Sequence, residues 1–204
     1  MPDPNDMQEF FDRLDACNDT DPRLRAELES DLWLRFGAVK TVLILDMAGF
    51  TAKVQKHGLL FFLRKIRYMQ RLVAPLLIEH QGELVKFEAD NAYAVFSDSR
   101  HAVHCALQIH QRLQELNNGV PDVDDVVVSI GLARGRILWI PGHDFFGDAV
   151  NLASKLGEDI ADHGETLVST DLFDEIQSDP SLQLTPLEIN LSGFTLTAAK
   201  VTRL

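Results

Sequence analysis

The chain has 204 residues, which suffices for one domain with an appendage and a sizeable core. Its 31 acidic residues outnumber its 19 basic residues, and the net charge of −12 argues against nucleic acid or an anionic membrane as a partner. Its two cysteines, Cys17 and Cys105, have no spacing that indicates a disulfide or a zinc site. With no recognisable signal peptide and no membrane-spanning apolar run, the sequence predicts a cytoplasmic protein without direct membrane insertion.

The first part of the chain, residues 5–36, predicts two short helices. In the second, Asp21 is a candidate N-cap and Pro22 occupies the first helical position. An apolar stripe at helical spacing follows in Leu24, Leu28, Leu32 and Phe36. We expect residues 1–37 to form a helical appendage to a main domain of residues 38–204. The stripe fits two roles equally well: packing on the main domain, or contact in a dimer or with a signalling segment.

The main domain predicts alternating helices and strands. From residue 40 the predicted order is strand, helix, helix, strand hairpin, helix, strand pair, helix, strand, helix and a terminal strand pair. Within it, a long helix, the hairpin, the next helix and a buried strand are expected at residues 59–81, 83–96, 101–116 and 126–132. The turn of the hairpin is expected at Asp90-Asn91, a pair that favours turns. This order predicts an α+β fold, a ferredoxin-like sandwich with helices on one face of a mainly antiparallel sheet.

Two strands of this pattern end in a carboxylate. The hydrophobic run of residues 41–45 ends at Asp46 and is followed by Gly-Phe-Thr, and residues 83–89 lead to Asp90. Carboxylates are ligands for hard divalent cations, and a pair of ions is a recurring device for phosphoryl transfer. Taken singly, each residue is as well explained as a turn residue or a helix N-cap.

A third segment, residues 145–156, changes this balance. Its sequence Phe-Phe-Gly-Asp-Ala-Val-Asn-Leu-Ala-Ser-Lys-Leu places Asn151 and Lys155 four apart on one face of a predicted helix. The three segments occur in the order and spacing of one family. The chain resembles the catalytic domain of class III nucleotidyl cyclases over roughly residues 38–204.

The resemblance implies a metal site and a base-reading pair. Asp46, Asp90 and the backbone carbonyl of Met47 match the family's ligands for two Mg²⁺ or Mn²⁺ ions. Lys86 matches the base-reading lysine, and Asp144 stands where adenylate-forming members place Asp or Thr. A lysine donor and a carboxylate acceptor complement the edge of adenine, whereas guanine presents the opposite pattern.

The resemblance also implies groups for the ribose and the phosphates. Asn151 matches the asparagine that orients the ribose, and Arg136 matches a residue that contacts phosphate in some members. Lys155 stands in place of the family's transition-state arginine, which keeps the charge without the planar fork. Ser192 lies in the segment where many members carry a triphosphate lysine, and Ala89 replaces the usual glycine before the metal aspartate.

These correspondences imply an adenylate cyclase-like enzyme that converts ATP to 3′,5′-cyclic AMP and pyrophosphate. In the family the site lies between two chains, so the resemblance also implies a homodimer. Two alternatives stay open at this point. One is a degenerate domain that binds nucleotide or dimerises with little turnover, and the other is a cyclase for a different base.

Overall fold

The structure is a computed structural model that describes residues 5–16, 21–48, 58–118, 125–191 and 194–204. The Gly-Phe-Thr segment after Asp46, Cys17 and Ser192 lie outside these described residues. None of the helices in the described ranges is both long and apolar enough to cross a membrane.

Helices and strands follow the predicted order. The α-helices are α1 (Asp6–Asp15), α2 (Pro22–Phe36), α3 (Leu59–Glu79), α4 (Ser99–Asn117), α5 (Asp148–Ser154) and α6 (Thr170–Ile176). A π-helical segment (Lys155–Ile160) continues directly from α5. The strands are β1 (Gly37–Met47), β2 (Glu83–Glu88), β3 (Asn91–Phe96), β4 (Val128–Ile140), β5 (Asp144–Phe146), β6 (Thr166–Ser169), β7 (Leu182–Leu191) and β8 (Phe194–Arg203).

The strands of the described part of the chain form one mixed sheet. Its order is β2-β3-β1-β4-β6-β8-β7, and β5 pairs with β4 at the end of that strand. All pairings are antiparallel except that between β4 and β6. The first four strands, connected through α3 and α4, have the β-α-β-β-α-β order of a ferredoxin-like sandwich. The predicted fold class is therefore confirmed.

The central strand β1 is buried on both faces because its side chains alternate between two cores. Leu43 and Leu45 pack in the larger core with α3, α4 and α6. Val42 and Ile44 pack in the second core, on the opposite face, against Ala149 and other residues of α5. The prediction of helices on one face thus describes α3, α4 and α6, whereas α5 and the π-helical segment cover the other face.

Strand β4 is longer than the sequence pattern predicted. It pairs with β1 from Met47 opposite Val128 to Gly37 opposite Leu138, beyond the expected end at residue 132. The apolar run is interrupted after Ala133 by Arg-Gly-Arg, so the sequence pattern did not predict the second half of the strand. The backbone pairing with β1 extends the strand through these residues.

The helices before β1 pack on the sheet within the same chain. Asp21 caps α2 as predicted, since its side chain accepts a hydrogen bond from the backbone N–H of Arg23 at 2.9 Å. Phe10 of α1 stacks on Phe146 of β5 with ring centroids 5.3 Å apart. Leu28, Leu32 and Phe36 of the stripe join the same cluster, together with Phe10 and Ile140. Of the two predicted roles, packing on the main domain is the one that this arrangement displays.

The π-helical segment lies directly on the backbone of β1 and β4. A Cβ on Gly157 would stand 2.7 Å from the backbone nitrogen of Gly131 and 2.9 Å from the carbonyl oxygen of Ile44. A Cβ on Gly131 would stand 2.0 Å from the carbonyl oxygen of Ala153. Backbone atoms cannot give way as a flexible side chain can, so this approach requires glycine on both sides.

We expect Gly157→Ala to lower the free energy of unfolding by about 2 kcal/mol, the range of overpacking in a close-packed interior. Gly135→Ala is a matched control, because a Cβ there would meet a single side-chain atom, Ala149 Cβ, at 3.1 Å. Urea denaturation of both variants measures the difference. Equal losses for the two variants would show that the contact between the π-helical segment and the sheet is not close.

Candidate active site

The two predicted metal-binding carboxylates meet at one end of the sheet. Asp46 is the penultimate residue of β1, and Asp90 lies in the turn between β2 and β3. Because β3 pairs with β1, the turn stands beside the end of β1. Burial, followed by the charges of Asp90 and Glu158, raises the pKa of Asp46 to about 6, against the lowering effect of His163. The site is thus an acidic cluster with one partly buried carboxyl group.

The turn that carries Asp90 has a strained backbone and is held by side-chain hydrogen bonds. Ala89 has a φ of 50°, in the left-handed region that favours glycine, at the position where the resembled family has glycine. Asn91 Nδ2 donates hydrogen bonds to Glu158 Oε1 at 3.0 Å and to the Tyr93 hydroxyl at 3.2 Å. These contacts hold the residue after Asp90 against the π-helical segment.

Lys86 and Asp144, 58 residues apart in the chain, are brought together by the fold. Lys86 Nζ lies 3.3 Å from Asp144 Oδ1 and 3.2 Å from Glu88 Oε2. Burial alone would lower the pKa of Lys86, but the two carboxylates outweigh it and raise that pKa above its usual value. The lysine is therefore charged at neutral pH and is aimed at the proposed acceptor of the base-reading pair.

Asn151 and Lys155 both stand exposed on the helix that faces the acidic cluster. Asn151 belongs to α5, and Lys155 begins the π-helical segment one turn later, its N–H bonded to the carbonyl of Asn151. Lys155 Nζ lies 3.6 Å from Asp159 Oδ2, in a pair whose two side chains are exposed. Such a pair is weak, so Lys155 can exchange this partner for a phosphate at little cost.

Arg136 does not join the other predicted site residues within one chain. Its neighbours Gly135 and Ile137 face α5, so strand alternation directs Arg136 to the opposite face. There its guanidinium stacks over the ring of Trp33 at 4.5 Å. Arg134, on the same face, pairs with Glu175 of α6 at 2.5 Å. Both arginines are engaged with helices away from the acidic cluster.

Glu158 is a site residue that the sequence did not indicate. It follows Ser154 by four positions and Lys155 by three, so an α-helical wheel gives it these local neighbours but no link to the β2–β3 turn. The π-helical turn contains more residues than an α-helical turn, and this geometry is not encoded in a simple apolar period. The only available signal was an acidic residue close to the Asn151 and Lys155 motif.

The residues of the acidic cluster fit a divalent cation with oxygen ligands. Asp46 and Asp90 supply carboxylates, and Asn91 Oδ1 is buried without a hydrogen-bond partner among the described residues. A cation would relieve the repulsion that raises the pKa of Asp46. Across the described ranges, however, no group of three or more His, Cys, Asp or Glu side chains is arranged to hold a metal ion. A site here thus depends on two carboxylates with backbone and amide oxygens.

Comparison with known proteins identifies the fold and its relatives. The chain is 29% identical over 142 residues to a serine/threonine-protein kinase, pkn2, of Myxococcus xanthus, covering 60% of this chain and 17% of that protein. It is 28% identical over 120 residues to adenylate cyclase 1 of Rhizobium meliloti, covering 48% of this chain and 17% of that protein. The chain spans less than about a quarter of the length of the curated relatives it matches. No protein-family model matches the chain.

Solved structures extend the similarity over most of the chain. The adenylate/guanylate cyclase/hydrolase of Silicibacter pomeroyi superposes with a TM-score of 0.68 at 29% identity, covering 81% of this chain and 95% of that chain. Other adenylyl and guanylyl cyclase domains, 19% and 18% identical, share the fold. Together with the relatives named adenylate cyclase and the ordered motifs, these similarities support a class III nucleotidyl cyclase catalytic domain in this chain.

Proposed function

We propose that the protein is an adenylate cyclase that forms 3′,5′-cyclic AMP and pyrophosphate from ATP at a site shared by two copies of the chain. The observation that carries the choice of ATP is the approach of Lys86 to Asp144 at 3.3 Å. Lysine donates to a ring nitrogen of adenine, and the carboxylate accepts from its exocyclic amine. The relatives named adenylate cyclase support the same base.

In the proposed reaction, the ribose 3′-oxygen bonds to the α-phosphorus, and the bond from that phosphorus to the oxygen of the β-phosphate breaks. The 3′-hydroxyl loses its proton to solvent, and pyrophosphate leaves with the electron pair of the broken bond. Two Mg²⁺ or Mn²⁺ ions bound by Asp46, Asp90 and the carbonyl of Met47 would supply charge neutralisation for this displacement. Lys86 and Asp144 orient the base.

The remaining residues of the chain act on the ribose and the phosphate. Asn151 hydrogen-bonds the ribose so that the 3′-oxygen is in line with the phosphorus. Lys155 places its ammonium group at the phosphate oxygens, where negative charge accumulates in the transition state. Because the metal carboxylates and the α5 residues face the same side of the sheet, a second copy facing this side completes two equivalent sites.

A second candidate function is nucleotide binding with little turnover. Two observations favour it: Lys155 is already paired with Asp159, and the turn before Asp90 carries Ala89 in a strained conformation. Incubating the purified protein with each of the four nucleoside triphosphates, in Mg²⁺ and in Mn²⁺, separates the candidates. Cyclic AMP as the main product supports the cyclase, whereas ATP binding without any cyclic product at high protein concentration supports the second candidate.

The preference for ATP over GTP tests the proposed role of Lys86 and Asp144 in binding the base. Asp144→Asn replaces the carboxylate with an amide that can also donate, so we expect the preference of kcat/KM for ATP over GTP to fall by about 10-fold. Glu188→Gln, which removes the same charge from exposed strand β7, is the matched control. An undiminished preference in Asp144→Asn would remove this residue from the base site.

The raised pKa of Asp46 gives a test of the metal site that needs no turnover. Its carboxyl group is held above its usual pKa of 3.8 at about 6, so the folded state loses stability as the pH rises through this interval. Asp46→Asn should therefore stabilise the metal-free protein at about pH 8 by roughly 1–2 kcal/mol, after allowance for solvent screening. The variant should also lose the stabilisation that added Mn²⁺ gives the wild type.

Thermal unfolding in chelator and in Mn²⁺ measures both effects, again with Glu188→Gln as control. An Asp46→Asn variant that keeps the full Mn²⁺-dependent stabilisation would contradict the metal assignment.

If Lys155 acts in the transition state, its replacement should change kcat and leave KM nearly unchanged. Lys155→Ala should lower kcat by about 100-fold with KM nearly unchanged, since the ammonium group acts mainly in the transition state. Lys155→Arg should retain or raise kcat, because its planar fork suits phosphate oxygens. A rise in KM alone would show instead that Lys155 only binds the substrate.

A further inference from the structure

The carboxylate of Glu158 joins two parts of the fold that are far apart in sequence. Asn91 Nδ2 donates to its Oε1 at 3.0 Å, and Ser154 Oγ donates to its Oε2 at 2.8 Å. The Tyr93 hydroxyl lies 3.5 Å from the same Oε1 atom. One carboxylate therefore links the beginning of β3 to the end of α5.

Each of these partners adjoins a proposed site residue. Asn91 directly follows Asp90 in the β2–β3 turn, and Ser154 directly precedes Lys155. The position of Glu158 itself is fixed by Gly157, whose backbone packs on Gly131 of β4. Packing therefore fixes the backbone beside Glu158, and the hydrogen bonds from Asn91 and Ser154 hold its exposed carboxylate.

The β2–β3 turn needs such a connection. A non-glycine residue in the left-handed region costs about 1–2 kcal/mol, and Ala89 adopts this conformation with a φ of 50°. Strained backbone of this kind persists only where the surrounding structure holds it. The hydrogen bond from the side-chain amide of Asn91 to the carboxylate of Glu158 holds the turn.

We propose that Glu158 is a positioning residue for the metal site, an inference that rests on the proposed cyclase function. Through Asn91 it holds the turn so that Asp90 stands beside Asp46. Its two carboxylate oxygens are already engaged by donors from opposite sides, and therefore it acts through Asn91 and not as a ligand.

The test is the affinity of the full chain for Mn²⁺, followed by the electron paramagnetic resonance signal of the free ion. Removal of a residue that orients a metal ligand costs at least about 10-fold in affinity, and we expect this loss in Glu158→Ala. Asn91→Ala should give a similar loss. The double variant should bind Mn²⁺ at most about threefold more weakly than either single variant, because both changes remove the same connection.

Two conservative variants separate positioning from coordination. Glu158→Gln keeps an oxygen that accepts from Asn91, so its affinity should stay within about threefold of the wild type. Ser154→Ala is a milder change that should weaken binding by up to about threefold with the fold preserved, and it carries the test should Glu158→Ala fail to fold. Glu188→Gln should bind Mn²⁺ as the wild type does.

Three outcomes would overturn the proposal. Unchanged Mn²⁺ affinity in a folded Glu158→Ala protein that still forms cyclic nucleotide would refute the positioning role and leave the cyclase function intact. A Glu158→Gln variant as weak as Glu158→Ala would make the carboxylate a ligand itself. A wild-type protein that neither binds Mn²⁺ nor forms cyclic nucleotide would refute the proposed function together with this inference.

Discussion

The contact between the backbones of Gly157 and Gly131 is the constraint on which the candidate site depends. A side chain at either position would push the π-helical segment away from β1 and β4, because a Cβ on Gly157 would stand 2.9 Å from the carbonyl oxygen of Ile44 and a Cβ on Gly131 2.0 Å from that of Ala153. That displacement would move the whole helix from Asn151 onward relative to Asp46. Packing, rather than any polar contact, thus sets the distance between the two halves of the site.

The close packing brings together carboxylates that repel one another. Asp46, Asp90 and Glu158 gather at one end of the sheet in a chain whose net charge is already −12. Burial and these neighbouring charges raise the pKa of Asp46, despite the lowering effects of His163 and of a backbone hydrogen bond from Met47. The proposed cation would relieve this repulsion, and the backbone contact of Gly157 with Gly131 would keep the carboxylates in place for it.

Sequence patterns predicted the parts of the structure that depend on local periodicity. The order of the core strands, the cap at Asp21 and the carboxylates at the strand ends follow from apolar spacing and turn chemistry. The extension of β4 past Ala133 depends on pairing with β1, and the stacking of Arg136 on Trp33 depends on α2 lying across the sheet. The role of Glu158 depends on a π-helical turn. Each of these features is set by a distant partner, which a local pattern cannot report.

The two cations proposed for substrate binding are paired with carboxylates before any substrate is present. Lys86 lies between Glu88 and Asp144, and Lys155 stands near Asp159. The Lys155–Asp159 pair is exposed and contributes little to stability, so exchanging Asp159 for a phosphate would cost little. The side chains of Lys86 and Asp144 are partly buried. The pairs also limit repulsion within an acidic chain while keeping each ammonium group close to where it would act. In the proposed function the two pairs therefore act differently: Lys155 would exchange Asp159 for a phosphate, whereas Asp144 would stay beside Lys86 and accept a hydrogen bond from the base.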